Sequence, residues 1–462
     1  MKKLFLVTIS FLGCLSASAQ EADYVIPGLV EYVVAQGLSA DGKYVAGQDV
    51  FGAMVTRYNT VTGESVEFMN MLTGMGNCVS NTGVIVGQDQ SGTDQHATVM
   101  MDHYVNPMNL IQMGHSSLEG ITPDGTRAVG YMTDLSSSVM FVPVYNHLTE
   151  TWIGPPRRLP YPERDPVKGG TPQCVKAICV SDDGKTIGGL VTDGDGFFDY
   201  PIVFRMDKEG ETEEERWSYI VPKYVLDRPN DHLTWVSNMA ISPDGKTLFL
   251  IQARNSETGA STVIDNLQPY VYDIENDIMT EIPTDVEMLI PLKAFDDGTI
   301  MAVTYYRAFM PSVTYIKEAG SDSFIPFTQY IMEHKPAFYP WIEDTLGQYG
   351  VIGYDDNFQP IYGDYIISGQ MYVSNDMNVI ASGYPFGDGF TYVFSGSGEI
   401  VDEPAPEPGT DAIGTVAEDT ADVYTVYNLT GTCILRNGTK QQVLDLPKGL
   451  YIVNGSKQFI KN

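Results

Sequence analysis

The side chains in this sequence that are best suited to bind a ligand lie in three long segments between short repeated motifs. Residues 155–174, 211–235 and 327–369 carry aromatic rings beside carboxylates. An aromatic ring stacks on the apolar face of a sugar, and a neighbouring carboxylate accepts hydrogen bonds from its hydroxyls. Solvated loops without a ligand are the alternative interpretation. The predicted ligand-binding residues are Trp217, Trp235, Tyr339, Trp341, Asp355 and Asp356.

A second group of carboxylates has spacing that suits a hard metal ion. Asp193, Asp195 and Asp199 surround two glycines in the segment Asp-Gly-Asp-Gly-Phe-Phe-Asp. Calcium takes oxygen ligands from such loops, although no Glu is present here to bind it in a bidentate manner. A plain solvated turn explains the same residues. Apart from this calcium site, the sequence predicts no cofactor.

Motifs for known catalytic chemistry are absent from the sequence. The six histidines lack zinc-binding spacing, and no Gly-x-Ser-x-Gly elbow occurs. These absences favour a non-enzymatic protein. The alternative is a propeller-fold glycoside hydrolase or polysaccharide lyase, whose clustered carboxylates would perform acid–base catalysis. A cluster of titratable side chains with shifted pKa values at the mouth of a central funnel would distinguish the two.

One short motif, Ser/Thr-x-Asp-Gly followed by an apolar strand, recurs with variations seven times in the chain. The copies are Gly37–Gly47, Cys78–Gly87, Gly120–Gly130, Cys179–Gly189, Ala240–Leu250, Ala294–Ala302 and Tyr372–Gly383. A unit that recurs at intervals of mostly about 40 to 60 residues is typical of propeller blades. A second strand pair follows each copy. We therefore predict an all-β fold, a β-propeller of seven blades over residues 24–400.

The motif also has a mechanical interpretation. Asp-Gly sits at tight hairpin turns that require positive φ, and the Ser hydroxyl can bond the backbone of the turn. The residues Gly37, Cys78, Gly120, Cys179 and Ala240 are small, as strands that crowd around an axis require. Two of the intervening segments, 217–226 and 327–334, have apolar residues at helical spacing and predict a short helix or another ordered excursion on one face.

The phrase Gly-Ile-Thr-Pro-Asp-Gly at Gly120, together with His96-Ala97 in the second copy, resembles bacterial extracellular His-Ala-Phe-type repeats. These repeats are relatives of WD40-like propeller repeats. The resemblance covers about residues 30–396 and implies a propeller, but it supplies no catalytic residue, since a fold alone does not define a function.

The N-terminus has the three parts of a secretory signal peptide. Lys2 and Lys3 precede the apolar run Leu4–Leu15, and Ala17-Ser18-Ala19 offers a cleavage site. The predicted signal peptide is residues 1–19, and the apolar run is too short for a permanent membrane span. Lipidation at Cys14 is the alternative, although the residues before it fit a lipobox poorly.

The C-terminus begins with a Pro-rich acidic linker at residues 401–411, followed by a small β-sandwich-like module at 412–462. The segments Tyr427-Asn-Leu-Thr-Gly431 and Leu446-Pro-Lys-Gly-Leu-Tyr-Ile-Val453 resemble the sorting domain that the type IX secretion system of Bacteroidetes reads. The resemblance implies delivery to the cell surface or the extracellular space by that export machinery. A periplasmic β-domain without a sorting role is the alternative.

The charge of the chain limits its partners. It has 27 basic and 59 acidic residues, a formal net charge of −32. Such a surface repels nucleic acids and anionic membranes. Cys78 and Cys179 fall in non-neighbouring blades, so we expect free thiols. Together these features predict an exported, non-enzymatic propeller that binds a glycan, peptide or protein partner through loops on one face.

Overall fold

The fold is described from a computed structural model of the chain. Residue contacts divide it into two compact units, Met1–Ile400 and Val401–Asn462. The structure describes residues 26–31, 33–49, 54–68, 74–89, 96–100, 108–109, 115–133, 138–146, 151–160, 162–172, 174–192, 199–228, 233–254, 267–286, 289–304, 313–346, 351–354, 360–362, 370–384, 390–398, 424–427, 433–446, 449–453 and 456–460.

The first unit begins with β1 (Ile26–Glu31), and three blades of four consecutive antiparallel strands follow it. Blade 1 contains β2 (Val33–Leu38), β3 (Tyr44–Asp49), β4 (Val55–Asn59) and β5 (Ser65–Phe68). Blade 2 contains β6 (Gly74–Val79), β7 (Ile85–Asp89), β8 (His96–Met100) and β9 (Met108–Asn109). Blade 3 contains β10 (His115–Ile121), β11 (Ala128–Thr133), β12 (Ser138–Asn146) and β13 (Thr151–Arg158).

Three further blades have the same strand order. Blade 4 contains β14 (Cys174–Val180), β15 (Thr186–Thr192), β16 (Asp199–Met206) and β17 (Trp217–Ile220), with a short 3-10 turn at Glu214–Arg216. Blade 5 follows the helix α1 (Lys223–Leu226) and contains β18 (Leu233–Ile241), β19 (Thr247–Arg254), β20 (Leu267–Asp273) and β21 (Ile278–Glu281). Blade 6 contains β22 (Leu289–Ala294), β23 (Ile300–Thr304), β24 (Thr314–Lys317) and β25 (Ile325–Pro326).

The last part of this unit does not repeat that pattern. After the helices α2 (Phe327–His334) and α3 (Tyr339–Leu346) comes a two-stranded sheet, β26 (Val351–Tyr354) and β27 (Pro360–Tyr362). The strands β28 (Gln370–Val373), β29 (Val379–Tyr384) and β30 (Phe390–Ser395) then form a sheet whose fourth strand is β1. We call it the closing sheet.

The closing sheet corrects the predicted blade count. In the described residues six blades, rather than seven, consist of four consecutive strands. The seventh copy of the motif lies in the closing sheet, where β1 pairs antiparallel with β30 from Ile26 opposite Ser395 to Glu31 opposite Phe390. The physical reason is that β30 would otherwise be an unpaired edge strand. The N-terminal strand β1 pairs with this edge and covers it.

Hydrogen bonds link every neighbouring pair of these sheets into a ring. Three of them join one repeat turn to the next through the backbone: Asn81 N to Pro123 O at 2.8 Å, Asp182 N to Pro243 O at 2.9 Å, and Asn375 N to Ala40 O at 2.7 Å. The remaining links are Asp41 N to Asn81 Oδ1, Arg127 Nη1 to Gly184 O, Asp244 N to Asp296 Oδ1, and Lys293 Nζ to Val373 O. A closed ring of four-stranded antiparallel sheets is a β-propeller, so the prediction of an all-β propeller is confirmed.

The repeated motif folds into a turn that satisfies its own polar groups. In blade 5 the Ser242 hydroxyl donates to Asp244 Oδ1 at 2.7 Å and accepts from Thr247 N at 3.0 Å. Gly245 has a φ of +71°, which a residue with a Cβ adopts only under strain. The predicted bond from the Ser hydroxyl to the turn backbone is therefore confirmed, and the Asp has a structural task as well.

The core of the first unit lies between neighbouring sheets. Alternate residues of each strand face one neighbour, as the period of two requires. The helices α2 and α3 add to this core, since their residues Phe327, Ile331 and Ile342 pack with Met371 and Phe394, as does Phe338 just before α3. Helix α2 confirms the predicted helix at 327–334, whereas in 217–226 only Lys223–Leu226 is helical and Trp217–Ile220 forms the strand β17. No helix in the described part of the chain is long and apolar enough to cross a membrane.

The second unit contains a four-stranded antiparallel sheet. Its strands are β31 (Tyr424–Tyr427), β32 (Cys433–Gly438), β33 (Gly449–Val453) and β34 (Ser456–Ile460), in the order β32-β31-β33-β34. The helix α4 (Lys440–Leu444) begins with a capping box between Thr439 and Gln442. Val443 of this helix packs on Tyr424 and Val426. Among its described residues one sheet and one helix are present, instead of the two sheets of the predicted sandwich.

Candidate functional site

The innermost strands of the propeller carry one equivalent position that faces the next sheet. In the strand pairing, Gly37, Cys78, Gly120, Cys179 and Ala240 share this position, two residues before the Ser or Thr of the motif. Cys78 Sγ donates to the carbonyl oxygen of Glu119 in the next blade at 3.0 Å. Because backbone lies so close, small side chains fit best. We call this position the axial position, and its small residues agree with the sequence prediction.

Two sheets carry large side chains at the axial position. Blade 6 has Lys293, which pairs with Met301, and the closing sheet has Tyr372, which pairs with Ala381. Lys293 Nζ donates to Val373 O of the closing sheet at 2.6 Å, and its ammonium lies 5.3 Å from the centre of the Phe295 ring. Burial lowers the pKa of Lys293 to about 8, although Asp182 and Asp376 favour its charged form. A lysine therefore stands where the other blades keep a small residue.

The repeat turns bring polar side chains from non-adjacent sheets together beside Lys293. Asn375 Nδ2 donates to Asp182 Oδ2 at 3.1 Å, which joins the closing sheet to blade 4. Partial burial of its carboxyl group raises the pKa of Asp182, and repulsion from Asp296 of blade 6 raises it too, while Lys293 and Asn375 act in the opposite direction. Asp182 and Asp296 are both exposed. We call Asp182, Lys293, Asp296, Asn375 and Asp376 the turn-side cluster.

The carboxylates of the turn-side cluster differ in how fully they are bonded. Asp376 accepts from the Ser374 hydroxyl at 2.5 Å and from Asn378 N at 2.9 Å. Burial raises the pKa of Asp376, but these hydrogen bonds outweigh it and lower the pKa overall. Asp296 accepts from Asp244 N at 2.8 Å. Both carboxylate oxygens of Asp376 are thus bonded within its own turn, whereas Asp182 and Asp296 each accept a hydrogen bond from another sheet.

A second layer of titratable groups lies along the innermost strands. Burial raises the pKa values of Cys78 and Cys179 to about 12, and the two interact electrostatically. Both are free thiols. Burial also raises the pKa of Glu119, while a hydrogen bond with Ser117 and the charge of Lys176 lower it. Buried thiols with such high pKa values are poor nucleophiles, so this layer is better suited to packing than to reaction.

Among the predicted ligand-binding aromatics whose side chains are described, Trp217 lies in a different core from Tyr339 and Trp341. Trp217 is only 3 % exposed and belongs to the core of blades 4 and 5, under the guanidinium of Arg127. Little of its ring is therefore open to a ligand in this structure, and its ligand-binding role stays a prediction. Tyr339 and Trp341 of α3 are partly buried against a different core, that of blade 6 and the closing sheet. Trp235 lies in β18, and nothing is described of its side chain.

The predicted carboxylate sites fall mostly outside the described residues. Asp355 and Asp356 lie there, as do Asp193 and Asp195 of the predicted calcium loop. Asp199 begins β16 and accepts from the Thr192 hydroxyl at 2.6 Å across the strand pair. Within the described ranges, no three His, Cys, Asp or Glu side chains are placed to hold a metal ion. The calcium site stays a prediction.

Sequence reasoning did not find the turn-side cluster, although one signal for it was present. The sixth copy of the motif starts at Ala294 in the alignment given above. When this copy is instead aligned with the others on its Asp297-Gly298 turn, it starts one residue earlier, at Lys293. The corrected alignment places Lys293 where five copies have Gly, Ala or Cys. A long charged residue at a position that is otherwise small is a signal that the sequence contains. The bond between Asn375 and Asp182 has no such sequence signature.

No protein-family model and no curated protein matches the sequence. Solved structures that are similar to it include the hydrazine synthase of Kuenenia stuttgartiensis, with 12% identity, coverage of 82% of this chain and 98% of that chain, and a TM-score of 0.46. An oligogalacturonate lyase of Vibrio parahaemolyticus has 10% identity, coverage of 80% and 97%, and a TM-score of 0.45. A TolB-like protein of Agrobacterium tumefaciens has 13% identity, coverage of 56% and 88%, and a TM-score of 0.35. No functional residue is transferred from similarities this distant.

Proposed function

We propose that this protein is a binding propeller that holds a basic peptide segment of a partner protein at the turn-side cluster. The observation that supports the proposal is the pair of exposed carboxylates, Asp182 and Asp296, which come from blades 4 and 6 and repel each other. A cation placed between two like charges relieves that repulsion. An ammonium or guanidinium group of the partner would provide it.

The charges around the pair support a cationic ligand over an anionic one. The turn-side cluster has three carboxylates and a single lysine, and that lysine already bonds Val373 O. The whole chain carries a net charge of −32, which draws basic partners toward it at long range. A glycan bound by hydrogen bonds to the same carboxylates is the alternative ligand, and Tyr339, Trp341 and Trp235 stay candidates for contacts with it.

The test is a binding titration with three peptides of equal length that are rich in Lys and Arg, neutral, or acidic. We expect only the basic peptide to bind. Its affinity should fall as the salt concentration is raised above about 0.05 M, because salt screens the attraction between charges. The variants Asp182→Asn and Asp296→Asn keep the carbonyl oxygen and the size of the side chain. Each variant should raise the Kd about 10-fold, because it removes one charge pair between the protein and the peptide.

The matched control is Asp322→Asn, an exposed carboxylate in the loop before β25. It should leave the affinity within about twofold, by the independence of distant sites. Equal binding of the neutral peptide, or full affinity in both cluster variants, would rule out this function.

One observation favours a second candidate function, an enzyme. Burial and repulsion raise the pKa of Asp182, while burial lowers the pKa of Lys293 to about 8, so the two values approach each other. Lys293 can therefore give and take a proton near pH 8, beside a carboxyl group that holds its own proton more tightly than an ordinary Asp. Cleavage of a polysaccharide by the purified protein, abolished in both Asp182→Asn and Lys293→Met, would support the enzyme over the binding protein.

Export and the domain limits belong to the same proposal. We propose that residues 1–19 are removed as a signal peptide and that residues 412–462 direct the protein to the cell surface. Basic partners there would meet an acidic propeller on the outside of the cell. Intact-mass measurement of protein from its native host should give a chain that begins at Gln20. Normal surface display after deletion of 403–462 would argue against the sorting role and leave the binding proposal standing.

A further inference from the structure

The outermost strand of blade 5, β21, is an edge strand that exposes an apolar side chain. Blade 5 has the strand order β18-β19-β20-β21, and in the part of the chain that the structure describes no further strand pairs with β21. Ile278 at its start is 56 % exposed, more than any other large apolar side chain in the described strands. An edge that exposes apolar surface is a place where another strand can add.

The hydrogen bonding of β21 shows which of its backbone groups point outward. Ile282 N, just after the strand, donates to Pro269 O of β20 at 2.8 Å. Because the direction alternates from residue to residue in an antiparallel pair, the N–H and C=O groups of Met279 and Glu281 point away from β20. The Met279 side chain itself packs against the core of blades 4 and 5. The backbone of β21 therefore presents the pattern that an incoming strand requires.

The charge around β21 favours a basic strand. Residues 267–286 contain five Asp and Glu and no Lys, Arg or His, and the exposed acids among them are Glu275, Asp277, Glu281 and Asp285. Lys246 lies 3.7 Å from Glu275, but both side chains are more than half exposed, so this pair contributes little. Two copies of this edge repel each other, whereas a strand that carries Lys or Arg is attracted.

The helix α1 extends the apolar part of this edge. Lys223 N, at the first residue of α1, donates to Asp277 Oδ1 at 3.0 Å, so the helix begins beside the start of β21. Leu226 at the end of α1 is 42 % exposed. An apolar side chain of an incoming strand would therefore meet Ile278 and Leu226.

We propose that β21 is a docking edge for an extended segment of a partner protein, in which basic and apolar residues alternate and which adds to blade 5 as a fifth strand. Backbone hydrogen bonds to Met279 and Glu281 provide the pairing, and the alternating side chains provide the specificity. The docking edge uses neither Asp182 nor Asp296, so it is independent of the turn-side cluster.

The test measures amide hydrogen exchange of the full-length protein by mass spectrometry, with and without a capped peptide in which Lys and Val alternate. Exchange at residues 278–282 reports binding at β21 itself, so peptide held at the turn-side cluster does not contribute. The control peptide has the same sequence but is N-methylated at every residue. It keeps the charge and lacks the N–H groups that an added strand needs.

The matched protein variants are Met279→Pro and Met279→Ala. Both lose the Met279 side chain, but only proline removes the outward N–H, and an edge strand tolerates proline there because the bonds to β20 are kept. We expect the unmodified peptide to slow exchange at Glu281 about fivefold or more in the wild type and in Met279→Ala, and to have no effect in Met279→Pro. The methylated peptide should have no effect in any of them.

Thermal unfolding shows whether each variant is folded, and the two peptides on the wild type decide the outcome if Met279→Pro does not fold. Asp182→Asn should leave the slowing at β21 unchanged, since the two sites are distant. Unchanged exchange with the unmodified peptide, equal slowing by both peptides, or slowing that persists in Met279→Pro would overturn the docking edge. Peptide binding that Asp182→Asn abolishes, without any change in exchange at β21, would overturn it as well and leave the turn-side cluster as the binding site.

Discussion

Asn375 and Asp182 are separated by 193 residues in the chain, yet their side chains share a hydrogen bond of 3.1 Å. Asn375 belongs to the closing sheet and Asp182 to blade 4, and these sheets are not neighbours in the ring. Both residues occupy the second position of the Ser-x-Asp-Gly motif. Turns that serve mainly as hairpin connections therefore also bring side chains together across the propeller.

The first prediction concerns this pair. In Asn375→Ala the Asp182 carboxylate loses a hydrogen bond that stabilises its charged form, so the pKa of Asp182 should rise further. An NMR titration of the carboxyl carbons measures this directly. The backbone bond from residue 375 to Ala40 O is kept in the variant, so the ring should stay closed. An unchanged or lower pKa of Asp182 would contradict the bond.

The second prediction concerns the serine of the motif. Ser242 is fully buried, and Ser242→Ala removes the bond to Asp244 Oδ1 and leaves the part-buried Thr247 N without its acceptor. The free energy of unfolding should fall by about 1 to 3 kcal/mol, the cost of an unsatisfied buried donor. Urea unfolding measures it. Ser321→Ala, in an exposed turn of blade 6, is the matched control and should change stability by less than about 0.5 kcal/mol.

The third prediction concerns a glycine opposite a β-bulge. The register between β10 and β11 shifts between Leu118 and Gly120, opposite Gly130 and Val129. A Cβ on Gly130 would overlap the Ser117 carbonyl oxygen and lie 2.9 Å from Leu118 Cα, and neither backbone atom can move away easily. Gly130→Ala should therefore destabilise the propeller by about 3 kcal/mol.

The control for this prediction is Gly28→Ala. The nearest atom to its new Cβ would be the Tyr58 hydroxyl at 3.2 Å, the far end of a side chain that can shift. We expect a loss below about 1 kcal/mol. Thermal unfolding of both variants gives the comparison, and equal losses would show that the bulge does not decide which glycine is required.

The fourth prediction concerns pH. The pKa of Lys293 is about 8 in the folded protein and 10.5 for an ordinary lysine, so between these values the unfolded chain binds more protons. The buried, charged Lys293 lowers the free energy of unfolding below pH 8. This loss disappears as pH rises from 8 to 10.5, because the folded protein then no longer holds the charge. Lys293→Met removes this contribution.

The measurement is urea unfolding of both proteins at pH 8 and pH 10. Cys78 and Cys179 act in the opposite direction above pH 9, because burial raises their pKa values and the unfolded thiols lose protons first. They are present in both proteins and cancel in the difference. We expect Lys293→Met to be more stable than the wild type at pH 8, with the advantage shrinking toward pH 10. A constant difference would show that the lysine does not titrate in this range.

The sequence by itself determined the local structure. The Asp-Gly turns, the Ser hydroxyl that closes them, and the alternation of apolar residues depend on neighbours within a few positions, so seven copies of a motif were enough to predict a propeller. Small residues at the axial position followed from crowding. The periodicity at 327–334 likewise predicted α2, because an amphipathic pattern fixes which face a helix buries.

Only the tertiary structure decided which distant residues meet. The pairing of β1 with β30 depends on an edge left open at the other end of the chain, and the meeting of Asp182, Lys293 and Asn375 depends on how the ring closes. Trp217 reads as a surface aromatic in sequence and is buried because two blades close over it. Local patterns specify hairpins, but loop closure and sheet packing, which act between residues far apart in sequence, specify the site.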